Sequence, residues 1–387
     1  MVALYCSDVS GAFDRVSETR LGDKLRRLAL HPKILRLLLS WLEPRSSVVV
    51  VDGESAQRRV LTNSVYQGTL WGPPLWNIHY SDSAVAVRNR GFLEVIFADD
   101  LNCSKVFDTT TSERKVREDL EKCQEELHKW GGANQVLFDA GKESFHCIHR
   151  GRHFGDDFKI LGVLFDCQLT MGAAAVEVSR EAGWRLKSLL RCRRFYSIGQ
   201  LVRLYKAQIL SFIESRTPAL HHAAPSVLDC IDRVQRRFLR EIGVSELEAL
   251  QRFKLAPLPI RRDISMLGFL YRVAHGLVPL ALSELFPRRV SRILTSRGER
   301  HNLQFVDFTG LGGHTDVFKR SCFGLITVWN MLPTDVVHAK SVRISQRLIQ
   351  EASLVWARQH HEQHEWHRFL STTARVTPLY VFQRLFR

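Results

Sequence analysis

Three carboxylates stand out in this sequence by where they sit. Asp8 follows an apolar run that begins at Val2, and Asp99-Asp100 follow another, Leu93-Glu94-Val95-Ile96-Phe97-Ala98. Val, Ile and Phe favour a pleated, buried strand, so both places read as strand ends. Adjacent aspartates there cannot both be buried without a counter-charge, because an unpaired buried carboxylate is very costly. A hard divalent cation such as Mg²⁺ is a usual partner for a few carboxylates plus waters. Taken alone, Asp99-Asp100 is more simply a hairpin turn, and Asp8 a helix cap or ion-pair partner. Two strands lying side by side would change that by bringing Asp8 to the aspartate pair. Such a cluster, holding two divalent ions, clamps both oxygens of an in-line phosphoryl displacement.

The elements that would position these residues alternate over the first ~165 positions. Leu21, Leu25 and Leu28 share one helical face, as do Ile34, Leu35, Leu38 and Leu42, with His31-Pro32 between the two helices. Asp52-Gly53 is a positive-φ turn between Val48–Val51 and Gln57–Thr62, and predicts a hairpin. Gln67–Pro74 is a Gly/Pro loop that enters a helix near 74–87. Ser112 caps a charged helix whose apolar face carries Val116, Leu120, Cys123 and Leu127. Strands follow near 144–149 and 158–164. After Gln168 the pattern becomes almost wholly helical. An amphipathic helix is expected over Arg261–Gly276, and a core pattern returns around Trp329. The fold class is therefore α+β followed by a helical half.

The bulk numbers narrow the partners. The chain has 387 residues, enough for two or three cores, with 55 Lys+Arg against 40 Asp+Glu and a formal net charge of +15. A surplus of that size points first to nucleic acid and second to an anionic membrane surface. Its densest part runs from Trp184 to Lys206, where Arg185, Lys187, Arg191, Arg193, Arg194, Arg203 and Lys206 occur with no acid between them. Arg233, Arg236, Arg237 and Arg240 make a second basic face. The eight cysteines include no C-x-x-C pair, which argues against a cysteine zinc ribbon and a disulfide scaffold, and for reduced thiols in an intracellular protein. Met1–Asp8 has no basic n-region and does not read as a signal peptide. No apolar run reaches the length of a membrane span. His360, His361, His364 and His367 have helical spacing that suits a solvated, weakly metal-binding face better than a zinc site.

Three motifs in order give these residues a common meaning. Asp8-x₄-Phe13-Asp14, then Gln67-Gly68-Thr69-Leu70-Trp71-Gly72-Pro73-Pro74-Leu75-Trp76-Asn77, then Phe97-Ala98-Asp99-Asp100, resemble the A, B and C motifs of reverse transcriptases, most closely those of non-LTR (LINE-type) retrotransposons. The resemblance implies a right-hand polymerase palm over residues 1–166. It implies a helical basic thumb over 167–245, and a C-terminal helical region of unknown role over 246–387. By it, Asp8 and Asp99 would bind two Mg²⁺ (or Mn²⁺), with Asp100 as companion carboxylate. Phe13 would lie under the sugar and exclude a 2′-hydroxyl; it also reads as a plain core aromatic, and both can hold. Gln67 and Gly68 would lie beside nucleotide and template. Lys142, in a stretch like the family's fourth motif, would protonate the leaving pyrophosphate. A plain surface lysine fits that position equally well. Leu161-Gly162-Val163 matches the fifth motif, a primer-gripping hairpin. Arg185, Lys187, Arg191, Arg193 and Arg194 would meet phosphates of the hybrid duplex.

The implied function is RNA-directed DNA polymerisation, with an RNA template, a DNA primer or target DNA, and deoxynucleoside triphosphates as partners. The implied location is the nucleus, though no targeting signal is present. The alternative reading is an inactive element remnant that only binds nucleic acid. It is motivated by position: Asp8 is preceded by only seven residues, so the family's fingers and upstream endonuclease are expected to be missing. Three departures from the family pattern also stand out. Ser64-Val65-Tyr66 replaces Gly-Val-Pro, Gly11 replaces a commoner Lys, and Trp76 replaces Phe.

Overall fold

A computed structural model describes residues 1–61, 65–289, 294–295, 298–299, 301–307 and 316–360. The chain divides into two compact units. The first comprises residues 1–158 and 166–168, and the second 159–165 and 169–387.

The first unit is built on one antiparallel sheet. Its elements run β1 (Val2–Ser7), α1 (Glu18–Arg27), α2 (Pro32–Leu42), β2 (Arg45–Ser47), β3 (Val50–Val51), β4 (Glu54–Ser55), β5 (Arg59–Leu61), α3 (Gly72–Tyr80), α4 (Ser83–Arg88), β6 (Leu93–Phe97), β7 (Asp100–Val106), α5 (Glu113–Asn134) and β8 (Ser144–Ile148). The sheet order is β6-β7-β1-β8. Strand β1 is central and buried along nearly its whole length, which explains its continuous apolar run Ala3–Cys6. Its core joins Tyr5 and Leu101 to Leu21, Leu25, Leu38 and Leu42 of α1 and α2, and to Val116, Leu120, Cys123 and Leu127 of α5. The Ser112 hydroxyl caps α5 as expected, accepting from the Lys115 amide at 3.4 Å.

Two expectations in this unit need revision. The helix expected over 74–87 is two helices, α3 and α4, broken at Ser81-Asp82. The hairpin around Asp52-Gly53 is tighter than expected: β3 pairs with β4 across the turn, and β2 with β5 forms an outer arm. Asp52 and Gly53 both have positive φ, at 50° and 86°, as a two-residue hairpin turn of this kind requires.

The stretch 158–164 is not one strand but a hairpin, β9 (Phe158–Ile160) and β10 (Val163–Phe165), turned by Leu161 and Gly162 at φ 48° and 76°. Helices then follow: α6 (Gly172–Arg191), α7 (Ile198–Tyr205), a π-helical turn Lys206–Leu210, α8 (Ser211–Glu214), α9 (Thr217–Leu220), α10 (Pro225–Glu241), α11 (Glu246–Phe253), α12 (Leu258–Ala274) and α13 (Leu280–Glu284). A short strand pair β11 (Leu294–Thr295) and β12 (Gly298–Glu299) precedes α14 (Asp316–Arg320), α15 (Ile326–Met331), α16 (Thr334–Val337) and α17 (Val342–His360). Two apolar cores serve this unit. One is centred on Tyr205 and Phe238, the other on Leu267, Leu270 and Trp329. Helix α12 is not amphipathic as expected; even Arg262 and Asp263 are buried on it. Arg262 meets Asp232 with two hydrogen bonds of 2.6 and 2.9 Å, and Asp263 meets the His221 imidazole at 3.0 Å. Those pairs let a charged sequence lie inside a core. Among the described residues no helix is long and apolar enough to cross a membrane.

Candidate active site

The register of the sheet decides where the carboxylates meet. Strand β1 pairs antiparallel with β7, Cys6 opposite Asn102 and Ser7 opposite Leu101. One step further along the same register, Asp8 faces Asp100. In the neighbouring hairpin Phe97 pairs with Asp100, which leaves Ala98 and Asp99 as the two turn residues. The sequence run that ends in Asp99 and the one that ends in Asp8 thus finish at the same end of one sheet.

The turn is held under constraint. Ala98 has φ 57°, a left-handed conformation that an L-residue with a Cβ adopts at some cost. Its carbonyl accepts a 2.7 Å hydrogen bond from the indole N–H of Trp76. Trp76 is only 1% exposed and stacks on Tyr80 with centroids 5.0 Å apart, while Phe13 lies against it at 5.9 Å. Trp76, on α3 where the reverse-transcriptase pattern has Phe, therefore does more than fill space. A phenyl ring fills the space but cannot donate to Ala98.

The segment between α5 and β8 supplies the cation. The segment after α5 returns along β1: the Ser10 amide donates to Leu137 O at 2.9 Å, and the Asp139 amide to Asp8 O at 3.0 Å. Asp139 then makes a tight turn, its carboxylate accepting from the Gly141 amide and its carbonyl from the Lys142 amide. That turn sets the Lys142 ammonium 2.7 Å from Asp8 Oδ2. Lys142 is held above the usual lysine range by this hydrogen bond and by the charge of Asp8, so it is a protonated donor at neutral pH. Burial, then the nearby charges of Asp8 and Asp99, pushes Asp100 above the usual carboxylate range. Asp8 and Asp99 thus act on Asp100 as like charges, and Lys142 offsets them in part.

These residues surround a cavity of about 630 Å³. Asp8, Phe13, Gln67, Gly68, Asp99 and Lys142 all line it, together with Gly11, Thr69 and Gly72. Asp100 stands beside the cavity on β7 rather than in its lining. Gly68 stands at a positive φ of 81°, which favours glycine, and a Cβ there would meet no atom of the protein within 4 Å. Gly72 is the crowded one: a Cβ would come 3.3 Å from Thr69 Oγ1 and Tyr66 O and 3.4 Å from Phe13. Thr69 and Gly72 line the cavity and Trp76 braces the turn, roles that the motif reading did not give them; their signal was membership of the motif stretch 67–77.

Among the described residues no group of three or more His, Cys, Asp or Glu side chains stands arranged to hold a metal ion. The donor set at the cavity is two carboxylates with a third beside them, compensated by one ammonium. Hard oxygen ligands in surplus over positive charge suit a divalent cation. His361, His364 and His367 lie outside the described residues, as does the side chain of His360.

The basic run of the second unit is less bare than its sequence. Arg185 pairs with Glu181 at 2.9 Å and Arg193 with Glu241 at 2.8 Å, acids that lie outside the run in sequence. Arg194 lies over the Phe195 ring. Lys187, Arg191 and Arg194 are exposed, with no carboxylate partner among the described residues.

RNA-directed DNA polymerases from the mobile element jockey of Drosophila melanogaster and Drosophila funebris are 27% and 26% identical to this chain, over 256 and 254 residues. The chain is a homologue of these LINE-type polymerases. Each alignment covers 61% of this chain and 28% of the relative, so the chain spans well under half the length of the curated relatives it matches. No family model matches the sequence. A solved structure of Candida albicans telomerase, in complex with a fragment of telomeric RNA, is similar at a TM-score of 0.27 and 10% identity, covering 73% of this chain and 48% of that one. That likeness is too loose to bear on the fold.

Proposed function

We propose that the first unit is the palm of an RNA-directed DNA polymerase and that the cavity between Asp8, Asp99 and Lys142 is its nucleotidyl-transfer site. The observation that carries this reading is the convergence of Asp8 and Asp99, 91 positions apart, on one cavity that Gln67-Gly68 and Phe13 also line. Homology to mobile-element polymerases supports it, as does the fact that residues of all three motif-like stretches line the one cavity.

Each residue then has a task its geometry suits. Asp8 and Asp99, with Asp100 beside them, would hold divalent cations, Mg²⁺ or Mn²⁺, which when bound neutralise the phosphates and activate the attacking oxygen. Asp100 has the weaker claim as a ligand, since it does not line the cavity. Lys142 now neutralises Asp8, and must leave it to donate a proton to the departing pyrophosphate. The Phe13 ring, wedged against Trp76 and Gly72, is a rigid wall that would exclude a ribose 2′-hydroxyl. Gln67 presents an amide at the cavity edge, where it can hydrogen-bond a base or sugar. The positive surface charge suits an RNA template and a DNA primer, held by phosphate contacts that carry no sequence information. The helical stretch 167–245 would then be a thumb.

Primer extension on an RNA template tests the reading, comparing the wild-type chain with Asp99→Ala. Divalent-cation-dependent incorporation should fall on the order of a thousandfold in the variant. Synthesis that survives the substitution, or no synthesis by the wild type, sinks it.

A further inference from the structure

Helix α6 carries an exposed stripe in which the polymerase reading gives Lys187 and Arg191 to duplex phosphates and leaves Trp184 without a role. Arg180, Trp184, Lys187 and Arg191 recur at intervals of four, three and four, so they stand above one another on one face. Trp184 is 66% exposed, an unusual position for so large an apolar surface, and the three cations are exposed with it. The stripe spans about 16 Å at the helical rise per residue.

A groove of about 510 Å³ opens beside it, lined by Trp184, Arg185, Phe212 and Arg216 with Glu181, Gln208 and two serines. Its walls are fixed in place. The Arg185 and Arg216 guanidinium groups both lie on the Phe212 ring, at 4.0 and 3.9 Å from its centroid. Arg185 is neutralised by Glu181 and also donates to Gln208 O at 3.2 Å. Gln208 belongs to the π-helical turn, a local widening of the helix that recurs at functional sites. Arg216 donates to Phe212 O and Ser215 Oγ at 3.1 and 3.0 Å, and has no carboxylate partner among the described residues. Its charge is therefore oriented and uncompensated. The acids on this face are already taken, Glu177 by Lys159 at 3.4 Å and Glu181 by Arg185.

We propose that this stripe and groove bind an unpaired stretch of nucleic acid, with a base stacked on Trp184 and phosphates held by Lys187, Arg216 and the flanking arginines. Cation, ring and cation follow one another along α6 at about 4.5–6 Å, a spacing that a strand of alternating phosphates and bases can follow. A free indole face accepts any base, so the site reads single-strandedness rather than sequence. A paired duplex hides its base faces and would meet only the cations. The proposal goes beyond polymerisation, and stands or falls without it.

The test is fluorescence anisotropy of labelled 12-residue oligouridine and oligothymidine with the full chain, run beside the incorporation assay. Trp184→Ala should weaken both strands about tenfold, and Trp184→Phe should keep most of the affinity. Arg216→Ala should weaken binding and lower the salt dependence by about one counterion. A difference between the two probes would assign the strand to RNA or DNA. Equal binding by wild type and Trp184→Ala overturns the proposal, and so does competition by a duplex as strong as by the single strand. Because Trp184 is exposed, an unchanged melting curve will show that its variants fold. Strand binding that depends on Trp184 in a chain that incorporates nothing would count against the polymerase reading alone.

Discussion

Two charged clusters, one in each unit, are compensated in opposite ways. In the second, Arg262 and Asp232 are matched by two hydrogen bonds, and His221 and Asp263 by one, in the middle of packed helices. In the first, three carboxylates at the end of a sheet share one lysine, and Asp100 is pushed above its ordinary range by burial and its neighbours. A pair inside a core is a structural solution, because each charge has been given the partner that offsets its desolvation. Carboxylates left in surplus beside a cavity are unfavourable for folding alone, which is why such places mark functional sites.

Removing charge should therefore have opposite consequences in the two units. The largest effect on stability is expected from Arg262→Ala, which strands Asp232 without its partner and should cost about 3–5 kcal/mol in denaturant unfolding. A loss under 1 kcal/mol would mean that the second unit's charges are as loosely compensated as the first's. Next is an acid effect confined to the first unit. His79 is fully buried on α3, and burial, reinforced by the Lys24 ammonium, pushes its pKa down to about 4. Its folded pKa lies below the unfolded 6.5, so the unfolded chain binds the extra proton. Stability is then intact above pH 6.5 and is lost as pH falls toward 4, by about 3 kcal/mol in total. Melting curves of wild type and His79→Gln across that window should differ in slope; parallel curves would remove His79 as the cause.

Smaller effects probe how the cavity is held. Trp76→Phe keeps the ring but deletes the donor to Ala98 O, and should lower stability by only about 1 kcal/mol. Incorporation should fall about tenfold, since the turn carrying Asp99 loses its tether. If activity and stability fall in the same small proportion, the indole is packing and nothing more. The smallest change is a gain. Asp100→Asn removes one of the repelling carboxylates and should raise the melting temperature slightly at neutral pH. The gain should vanish in acid, where wild-type Asp100 is itself protonated. A lowered melting temperature at neutral pH would show that Asp100 is a net stabilising charge, against the comparison drawn above.

Much of this was legible in the residues, and the reason is periodicity. Helix α5 was marked by Ser112 and by apolar residues at helical spacing, and the Asp52-Gly53 turn by the only residues comfortable at its φ values. Strand β1 and the β6–β7 hairpin were marked by apolar runs that stop at aspartates. What failed were places where distant partners override local pattern. The 74–87 helix breaks at Ser81-Asp82, and Asp82 takes the Lys24 ammonium at 2.7 Å, from a residue 58 positions away. Helix α12 read as amphipathic because Arg262 and Asp263 are charged, yet both are buried by partners on α10 and at His221. The acid-free run seemed bare because Glu181 and Glu241 lie outside it.

By itself, then, the sequence determined which residues could do chemistry and which elements carry them. Side-chain type and spacing along a strand or helix are local properties that any chain states openly. Only the tertiary structure decided that Asp8 meets Asp99, because a strand register is a property of pairs and a slip of one residue would turn Asp8 away. Only the fold could bring Lys142 to Asp8, through the return of the 137–143 segment along β1. The same is true of Trp76. In sequence it is one aromatic replacing another, and its indole N–H acquires a role only because the Ala98 carbonyl, 22 residues on, is folded to within 2.7 Å.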